Sequence, residues 1–309
     1  MAQVAVPVRK HKRKLKTWPF HLLLLPGVIL LLVYSVLPMF MGIVISLQDF
    51  VPAFGLFESD FVGFENFIFL FQLPDTYEII RNTLVISIGK MTLSLVASIF
   101  FAILLHESRF GRFKKAVQTA AYLPHFLSWV ILATVFRNIL DTNGIVNQLL
   151  LNTGLIDKPV LFLGSNETFQ PVIILSDVWK EFGYGAVIFI AALAGVNPEL
   201  YEAADIDGAS RLRKIWHITL PAIRTTIVLV ATLNISNILN AGFDQVFNLY
   251  SPIVYETGDV IDTYVYRMGF VSYQFSLSTA IGLTKSIVSF VLITISYWMA
   301  DRFAGYRIF

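Results

Sequence analysis

Six apolar stretches of membrane-spanning length constrain the fold of this chain more than any other feature. A helix needs about 20 residues to cross the hydrocarbon core of a bilayer, and the following stretches reach that length: 21–47, 84–105, 120–140, 172–193, 218–239 and 277–298. Of the 309 residues, 56% are hydrophobic and only 14% are charged, unlike a water-soluble domain. The sequence therefore predicts an all-α polytopic membrane protein with six transmembrane helices.

A basic segment, residues 1–20, precedes the first apolar stretch. Secretory signal peptides share this order, but residues 21–47 are too long for one and lack a cleavage site of small residues. We interpret them as a retained span, kinked at Pro26 and Pro38, since proline cannot donate the helical hydrogen bond. Residues 21–309 show no internal repeat and no Gly- or Ser-rich linker, which predicts a single transmembrane domain.

Lys and Arg residues lie mostly on one side of the predicted membrane. Of the 23 in the chain, only Arg81, Lys158 and Arg267 fall in segments on the opposite side, and most others cluster in residues 1–20, 109–115, 211–224 and 302–307. Cationic loops resist translocation, so this asymmetry predicts that both termini are cytoplasmic. The net charge of +2 does not indicate a nucleic-acid partner, and the absence of cysteine excludes disulfides and thiolate metal sites.

Three segments on the opposite side, residues 48–80, 141–171 and 240–276, are long enough for short interfacial helices. The first of them carries a series of aromatic residues, Phe54, Phe57, Phe61, Phe64 and Phe67. These side chains would either cap the helix bundle or form a docking surface. The sequence leaves both possibilities open.

A polar segment between the fourth and fifth spans has the features of a helix hairpin. Asn197 precedes Pro198, which places an N-cap residue before a proline at the first helical position. Gly208 supplies the left-handed residue that ends a helix, and Ser210 can begin a second helix that continues into the fifth span. The sequence therefore predicts a helix over about residues 198–208, a sharp turn and a second helix.

Small side chains mark the first helix of this hairpin. Ala203, Ala204 and Ala209 have little bulk, which would let the helix backbone enter a groove on a partner protein. Charged neighbours such as Glu202 and Asp205 would then fix the register. The alternative is an amphipathic hairpin that lies on the membrane surface.

The stretch from Glu202-Ala203-Ala204 through Gly208 to Ile218, Leu220 and Pro221 resembles the EAA loop of binding-protein-dependent ABC importer permeases. Further stretches are similar to the polysaccharide- or oligosaccharide-type branch of the maltose-permease superfamily: Leu123-Pro124-His125-Phe126 with Ser128-Trp129, Gly144 with Asn147, Trp179-Lys180 with Gly183, and Ala191-Ala192-Leu193. Together they cover most of the chain from the second span onward. The family's usual Gly-Gly-Pro after the fifth span is replaced by Phe243-Asp244, Asn248-Leu249 and Ser251-Pro252.

The resemblance implies a permease subunit in a bacterial inner membrane. Its partners would be a second homologous permease subunit, two cytoplasmic ATPase subunits, an extracytoplasmic solute-binding protein and an oligosaccharide substrate. The residues that couple to the ATPase would be Glu202, Ala203, Ala204, Asp205, Gly208 and Ala209. This chain would hold no cofactor, and ATP and Mg would bind the ATPase. The only Gly-Lys pair, Gly89-Lys90, is followed by Met91, so a phosphate-binding loop is missing.

Three lysines share one level within the spans. Lys90, Lys180 and Lys285 lie in the second, fourth and sixth spans, near the side of the membrane away from the chain termini. At a helical rise of about 1.5 Å per residue, each is about 9 to 12 Å inward from that end of its span. Ionisable groups at that depth face a cavity, the bundle interior or one another. The spans offer only Asp177 and Glu181 as counterions. An unpaired lysine, with Arg137 nearby, would make a mildly cationic vestibule for an acidic, uronate-containing oligosaccharide; the alternative is internal ion pairing that fixes helix register.

Sugar recognition combines an aromatic face with amides and carboxylates inside a mainly apolar cavity. The candidate pathway residues are Lys90, Trp179, Lys180, Glu181, Tyr184, Asn234, Asn237 and Lys285. Asn234 and Asn237 are three residues apart and would share a helix face. Polar residues in spans also connect helices by hydrogen bonds, and we interpret His125 as such a structural group.

Two other classes of function compete with an importer permease. An ion-coupled secondary transporter would place acidic or histidine relays in its spans and can show inverted repeats. An intramembrane enzyme would need a catalytic constellation within the bilayer, and neither H-E-x-x-H nor G-x-S-x-G occurs. The sequence shows neither set of features clearly, so no catalytic or metal-binding residue is predicted.

Overall fold

The computed structural model describes residues 18–108 and 111–304. Nearly all of this part of the chain is helical, and its only strands are two residues long. The all-α prediction is therefore confirmed. Apolar segments form helices in a bilayer because a helix satisfies its backbone hydrogen bonds within its own segment. Of the predicted basic segment, residues 1–17 lie outside the described residues.

The first span is one long helix with a local irregularity. It consists of α1 (Trp18–Leu31), a π-helical turn (Leu32–Val36) and α2 (Leu37–Ser46). Pro26 lies inside α1, and the π turn comes directly before Pro38. A π turn re-routes the hydrogen bonds that a proline interrupts. Only α2 packs closely on the last span, whereas the described side chains of α1 are exposed.

Short elements connect the first two spans, as predicted: β1 (Gln48–Asp49), α3 (Gly55–Glu58), β2 (Asp60–Phe61) and α4 (Glu65–Gln72). The strands are antiparallel, with Gln48 opposite Phe61. Asn66 fixes this segment to the end of the first span, because its Nδ2 donates to the carbonyls of Ser46 and Gln48, both at 3.0 Å. Phe57 is fully exposed on this surface.

The second span is α5 (Asp75–Glu107), which extends well beyond the predicted apolar stretch at its N-terminal end. The third span differs from the prediction of one helix over residues 120–140. It consists of α6 (Gly111–Tyr122), a 3-10 turn (Leu123–Phe126), α7 (Trp129–Leu140) and α8 (Ile145–Asn152). The two halves meet at an angle of 103°.

Proline chemistry explains this break in the third span. Pro124 stands at the start of the 3-10 turn, where it cannot donate to the preceding helix. Ser128 is extended, and its hydroxyl accepts from the backbone N–H of Ile131 at 3.4 Å, which begins a new helix. Both Pro124 and Ser128 are visible in the sequence, but the prediction of one helix over residues 120–140 did not include the break that they cause.

The fourth span is α9 (Asn166–Ala194), which packs along α5 over most of its length. Small residues let the helices approach closely: the Ser98 hydroxyl of α5 donates to the carbonyl of Phe182 at 2.9 Å. A Cβ placed on Gly183 would lie 2.1 Å from the carbonyl oxygen of Ala121 in α6. The α5–α9 pair with α6 against it is therefore the centre of the bundle.

The hairpin follows α9 at an angle of 72°. It contains α10 (Pro198–Ile206) and α11 (Arg211–Lys214), which continues through a π turn (Ile215–Thr219) into α12 (Leu220–Ala222). The fifth span proper is α13 (Arg224–Ile235), bent by 61° from the preceding helix. The second hairpin helix continues into the fifth span, as predicted, but it does so through a bend at Ile223 rather than as one unbroken helix.

The segment between the fifth and sixth spans folds back into the bundle. It contains α14 (Phe243–Leu249), a 3-10 turn (Pro252–Val254), α15 (Tyr255–Gly258), α16 (Ile261–Tyr266) and a π turn (Arg267–Val271), and it precedes α17 (Phe275–Ala304). Short helices were predicted here, but their interfacial position was not correct, because the segment packs inside the bundle. We call the end of the bundle that carries α10 and α11 the hairpin end, and the opposite end, which carries α3, α4 and α8, the loop end.

Three helices in the described residues are long and apolar enough to cross a membrane unbroken, namely Phe20–Ser46, Asp75–Glu107 and Phe275–Met299. Three further pairs of helices meet the same test but are sharply bent at a short break. The predicted count of six spans is reached when each bent pair is taken as one span.

We expect Gly183→Ala to lower the melting temperature of the detergent-solubilised protein. The added methyl group has no room against the Ala121 backbone, and overpacking of this kind costs about 1–3 kcal/mol. Gly282→Ala is the matched control, because Gly282 is also helical but has open space, with no atom within 4 Å, where the alanine methyl group would lie. It should leave stability unchanged or raise it by about 0.5–1 kcal/mol. Equal melting temperatures for both variants would contradict the packing described for α6 and α9.

Candidate functional site

The hairpin ends are capped as predicted. The Asn197 side chain accepts from the backbone N–H of Glu199 at 3.1 Å, and Pro198 is the first residue of α10. Gly208 has a φ of +69°, which is the left-handed conformation expected of it. Ser210 caps α11 by accepting from Arg213 at 3.4 Å. Local sequence is thus sufficient to fix the shape of this turn.

Contacts between α10 and the segment formed by α11 and the π turn hold the hairpin in one conformation. The Lys214 ammonium lies 2.6 Å from the Asp205 carboxylate, which joins α11 to α10. The Tyr201 hydroxyl lies 3.1 Å from that of Thr219, in the π turn. The Tyr201 ring also contacts His106 at the end of α5, with ring centroids 5.7 Å apart. The first helix of the hairpin is therefore held to both its second arm and the second span.

The surface of α10 that faces away from the bundle is uncovered in this chain. Glu202, Ala203 and Asp205 are exposed, and the apolar side chain of Ile206 is 88% exposed. Gly208 is exposed as well, and Ala204 and Ala209 are partly exposed. The six residues predicted to couple to a partner therefore lie on this surface, and the structure adds Ile206, which was not predicted. The structure places them together at the hairpin end, with small side chains around one large apolar group.

Lys90 is buried at the centre of a polar network. Its ammonium donates to the carbonyl of Ala241 at 2.6 Å and to Gln245 Oε1, and lies 3.4 Å from Asp177. Gln245 is fully buried and donates to the carbonyl of Ile173 at 2.8 Å and to the hydroxyl of Ser176 at 2.9 Å. Three elements, α5, α9 and α14, therefore meet at one charged group.

Lys180 belongs to a second network at the break of the third span. Its ammonium lies 2.8 Å from the Glu181 carboxylate and donates to the carbonyl of His125 at 2.8 Å. The other carboxylate oxygen of Glu181 lies 2.7 Å from His125 Nδ1. Tyr184 stacks on the His125 ring, with centroids 3.9 Å apart. His125 thus has the structural role that sequence analysis gave it.

Lys285 is also paired, by a residue that sequence analysis did not consider. Its ammonium contacts Asp262 in α16. The expectation that one of the three lysines would lack a counterion is therefore wrong, because the loop between the fifth and sixth spans returns into the bundle and supplies the missing carboxylate. All three lysines have carboxylate partners, an arrangement that favours the ion-pair alternative over a cationic vestibule.

A polar cavity of about 250 Å³ opens beside the Lys90 network. Four of the predicted pathway residues line it, namely Lys90, Glu181, Asn234 and Asn237, together with Asp177 and Asn240. Asn237 lies in the turn after α13 rather than on its helical face, since α13 ends at Ile235. The cavity is lined by one cation and two carboxylates, so its lining is not cationic.

A second open cavity, of about 490 Å³, lies along α17. It is lined by Asp262, Lys285, Ser286 and Ser289, and it shares Asn240 with the first cavity. The two cavities therefore meet at Asn240, and we call their polar lining residues, which come from α5, α9, α13, α16 and α17 and from the turn after α13, the polar surface.

Trp179, Lys180 and Tyr184 do not line either of these two cavities. Trp179 packs edge-on against Phe136 in α7, with ring centroids 5.8 Å apart. Tyr184 and Trp179 are about half exposed, at 48% and 46%. Their exposed faces remain open to a ligand or to a second protein.

A third pocket, of about 410 Å³, lies at the loop end between α7 and the loop after α14. Arg137, Asp141, Phe162 and Tyr250 are among its lining residues. The Arg137 guanidinium donates to the backbone carbonyl of Asn248 at 2.6 Å, in an exposed setting. No ion pair of Arg137 occurs within the described part of the chain.

A buried carboxylate anchors the loop-end segment before α16. Asp259 pairs with Arg267 and accepts from the Thr263 hydroxyl at 2.7 Å. Burial raises the pKa of Asp259 above its usual range, while the Thr263 hydrogen bond and the Arg267 charge act in the opposite direction. Asn82 in α5 donates to the backbone of this segment, at 2.8 Å to Glu256 and 3.2 Å to Asp259. The segment is therefore tied to the second span.

A hydrophobic helix bundle with an open polar surface and a braced hairpin at one end fits a membrane transport subunit. The family described as "Binding-protein-dependent transport system inner membrane component" matches residues 94–305. Protein LplB of Bacillus subtilis (strain 168) is 40% identical over 284 residues, covering 92% of this chain and 88% of that protein. The chain therefore belongs to the family of binding-protein-dependent transport system inner membrane components.

Two further relatives agree with this assignment. The polygalacturonan/rhamnogalacturonan transport system permease protein YteP of Bacillus subtilis (strain 168) is 40% identical over 306 residues, covering 97% of this chain and 94% of that protein. A chain of the bacterial alginate ABC transporter, solved in complex with alginate pentasaccharide-bound periplasmic protein, has a TM-score of 0.86 at 34% identity and covers 95% of this chain and 97% of its own length. This protein is a permease subunit, so the importer interpretation is confirmed over an ion-coupled secondary transporter.

Three polar residues of these networks and cavities were not predicted from the sequence: Gln245, Asp262 and Asn240. Gln245 and Asp262 lie in a segment that was predicted to lie outside the membrane, so they were not considered as partners for lysines in the spans. Their polar character among apolar neighbours in α14 and α16 was the only available signal.

We expect Gln245→Leu to destabilise the solubilised protein. The substitution keeps the approximate volume but removes three buried hydrogen bonds, to the Lys90 ammonium, the Ile173 carbonyl and the Ser176 hydroxyl. Each hydrogen bond is worth about 0.5–1.5 kcal/mol, and one to a charged group is worth more. Gln72→Leu is the matched control, since Gln72 is exposed at the end of α4 and should change stability by less than about 0.5 kcal/mol. Thermal unfolding of both variants provides the measurement, and a Gln245→Leu transition at the wild-type temperature would refute the network.

Proposed function

We propose that this chain is one of two related membrane subunits of an importer for oligosaccharides, driven by ATP hydrolysis on cytoplasmic partner subunits. The observation that carries the proposal is the hairpin at α10 and α11. It is capped at both helices, braced by Lys214 and Asp205, and exposes Ala203 and Ile206 to a partner. A rigid exposed element that leads into a span through a bend packed in the bundle core is suited to transmit a movement from outside the bilayer.

The coupling residues are Glu202, Ala203, Ala204, Asp205, Gly208 and Ala209. In this proposal α10 enters a cleft of an ATPase subunit, and one ATPase serves each of the two membrane subunits. ATP and Mg bind those partners and not this chain. Support comes from the low bulk of the α10 surface, which allows close approach, and from Ile206, which is 88% exposed and offers apolar area for a partner to bury.

The orientation follows from the charges near the hairpin. Arg211, Arg213 and Lys214 lie in α11, and the basic residues of segments 1–20 and 302–307 belong to the same side by sequence. We therefore place the hairpin end and both termini in the cytoplasm, as the positive-inside rule predicts. The loop end then faces the compartment from which a solute-binding protein delivers its cargo.

The polar surface supports a second, homologous permease subunit. The cavities beside Lys90 and Lys285 are both open on one side, and polar groups such as Asn237, Asn240 and Ser286 line them. Exposed polar groups at membrane depth are costly against lipid. A second subunit placed over this surface would enclose a polar pathway between the two chains.

The cargo class is supported by the relatives. YteP is named for polygalacturonan and rhamnogalacturonan, and the solved transporter carries alginate, described as an acidic polysaccharide. Because the lysines of the spans are paired, we assign the recognition of acid groups to Arg137. Its guanidinium lines the loop-end pocket beside Tyr250 and Phe162, where a uronate carboxylate can approach it.

We expect Ala203→Trp to prevent association with the ATPase and to abolish sugar-stimulated ATP hydrolysis in the reconstituted importer. The indole would occupy the surface that a close-fitting cleft requires. Ala53→Trp is the matched control, because Ala53 is an exposed alanine at the loop end, and it should co-purify with the ATPase at the wild-type ratio. Wild-type coupling in Ala203→Trp would remove the proposed role of α10.

Arg137→Gln should slow the import of an oligogalacturonide about two- to fivefold, the value of an exposed ion pair, and leave a neutral oligosaccharide of the same length unaffected. Lys158→Gln, which removes another exposed cation at the loop end, is the control and should affect neither. Lys285→Gln should slow both sugars equally, since it leaves Asp262 without its partner. Import rates in proteoliposomes provide the measurement, and an equal loss of both sugars in Arg137→Gln would exclude it from acid recognition.

A further inference from the structure

Aromatic rings form a continuous column between the loop end and the lysine level. Phe243 and Phe247, one turn apart on α14, stack with ring centroids 5.1 Å apart. Tyr266 on α16 contacts both, at 5.6 Å from Phe243 and 4.9 Å from Phe247. Phe270 continues the series, stacked on Tyr266 at 5.5 Å. We call these four residues the aromatic column.

The direction of α14 follows from its end contacts. The backbone just before α14 meets Lys90, whose ammonium donates to the Ala241 carbonyl at 2.6 Å. The last turn of α14 meets Arg137, which donates to the Asn248 carbonyl at 2.6 Å. Lys90 lies deep in the second span, and Arg137 lies near the loop end of α7. The helix therefore runs from the lysine level toward the loop end.

The second helix of the column runs in the same direction. Asp262, at the start of α16, pairs with Lys285, which lies about three turns into α17. Gly269, in the π turn that follows, packs on Ser278 in the first turn of α17, where an added Cβ would lie 2.8 Å from the hydroxyl oxygen. The segment therefore runs antiparallel to α17, and Phe270 lies nearer the loop end than Tyr266.

The deep end of the column is close, along the chain, to residues that line both polar cavities. Phe243 follows Gly242, which lines the cavity beside Lys90. Tyr266 is one helical turn from Asp262, which lines the cavity along α17. At the other end, Phe247 contacts Tyr250, with centroids 6.1 Å apart, and Tyr250 lines the loop-end pocket with Arg137. Near neighbours of the column thus line the polar cavities at one end and the loop-end pocket at the other.

The rings are accessible in this chain. Phe243, Phe247 and Tyr266 are partly exposed, and Phe270 is 68% exposed. A pyranose ring has an apolar face of C–H groups, which packs on the electron-rich face of an aromatic ring. Successive rings of one oligosaccharide can occupy successive aromatic side chains without a change of chemistry along the way.

We propose that the aromatic column is a stacking track on which the pyranose rings of an oligosaccharide move between the loop-end pocket and the polar cavities. The proposal rests on the oligosaccharide import proposed above and adds the residues that carry the sugar over the outer half of the pathway. Since a longer sugar covers more of the column than a short one, the track should matter more for long substrates.

The test compares import of a galacturonan disaccharide and hexasaccharide by the complete reconstituted importer. We expect Phe247→Leu and Phe270→Leu to lower hexasaccharide import about three- to tenfold relative to disaccharide import, the range for loss of one aromatic contact. Phe247→Tyr and Phe270→Tyr keep the ring and should retain the wild-type ratio. Phe71→Leu is the matched control, since Phe71 is also 68% exposed but lies on α4, away from the column.

Each other outcome has a distinct meaning. Equal loss of both sugars in the leucine variants, or loss in the tyrosine variants as well, would overturn the track and indicate that the rings pack for structure or against the second subunit. Leucine variants that behave like the wild type would also overturn it, with the proposed import intact. A wild-type importer that carries neither sugar, nor a neutral oligosaccharide, would instead overturn the proposed function itself.

Discussion

The buried ammonium group of Lys90 determines how the loop end of this protein is built. A charge inside a helix bundle is costly unless it is paired and hydrogen-bonded where it stands. Asp177 supplies the counterion from α9, and Ala241 and Gln245 supply the remaining acceptors. Those two residues belong to the segment after the fifth span. The segment is therefore drawn down into the bundle, although its position between two spans would also permit a surface loop.

The same requirement recurs at Lys285 and gives the segment its second anchor. Asp262 reaches Lys285 from α16, and Asp259, three residues earlier, is held by Arg267 and Thr263. The buried apolar residues follow this arrangement. One core cluster contains Val246 and Val260 of the segment, packed with residues of α5, α7 and α9, and a second contains Ile261 and Leu277. Ionic anchoring and apolar burial thus act on the same short helices.

The hairpin end has a core cluster of its own, and it lies at the bend of the fifth span. Ile223, the residue at which the chain turns, is 1% exposed and packs in a cluster with Ile103 of α5 and Leu193 of α9. A displacement of the hairpin would therefore reach the second and fourth spans through this cluster as well as the fifth span through the backbone. Close packing of this kind transmits strain because it leaves few alternative positions.

The sequence alone predicted the features that depend on neighbouring residues. The apolar stretches located the spans, and Asn197, Gly208 and Ser210 located the ends of the hairpin helices, since capping and left-handed turns are local properties. The partners of Lys90 and Lys285 could not be predicted, because Gln245 and Asp262 lie more than 20 positions away along the chain. The break in the third span is a different case. Pro124 and the N-cap residue Ser128 were visible in the sequence, but the apolar character of residues 120–140 led to a prediction of one unbroken helix.

The exposed first half of span one has a consequence for how this sequence can vary. The described side chains of α1 are exposed, whereas α2, the second half of the same span, packs on α17. Within this chain, α1 has no packing partner that selects its side chains by shape, so its residues need only be apolar enough for the lipid. Lipid does not distinguish leucine from isoleucine, valine or phenylalanine by shape. Exchanges among such residues in α1 should be nearly neutral for folding of this chain, while the same exchanges at the α2 contact with α17 are restricted by volume and branching.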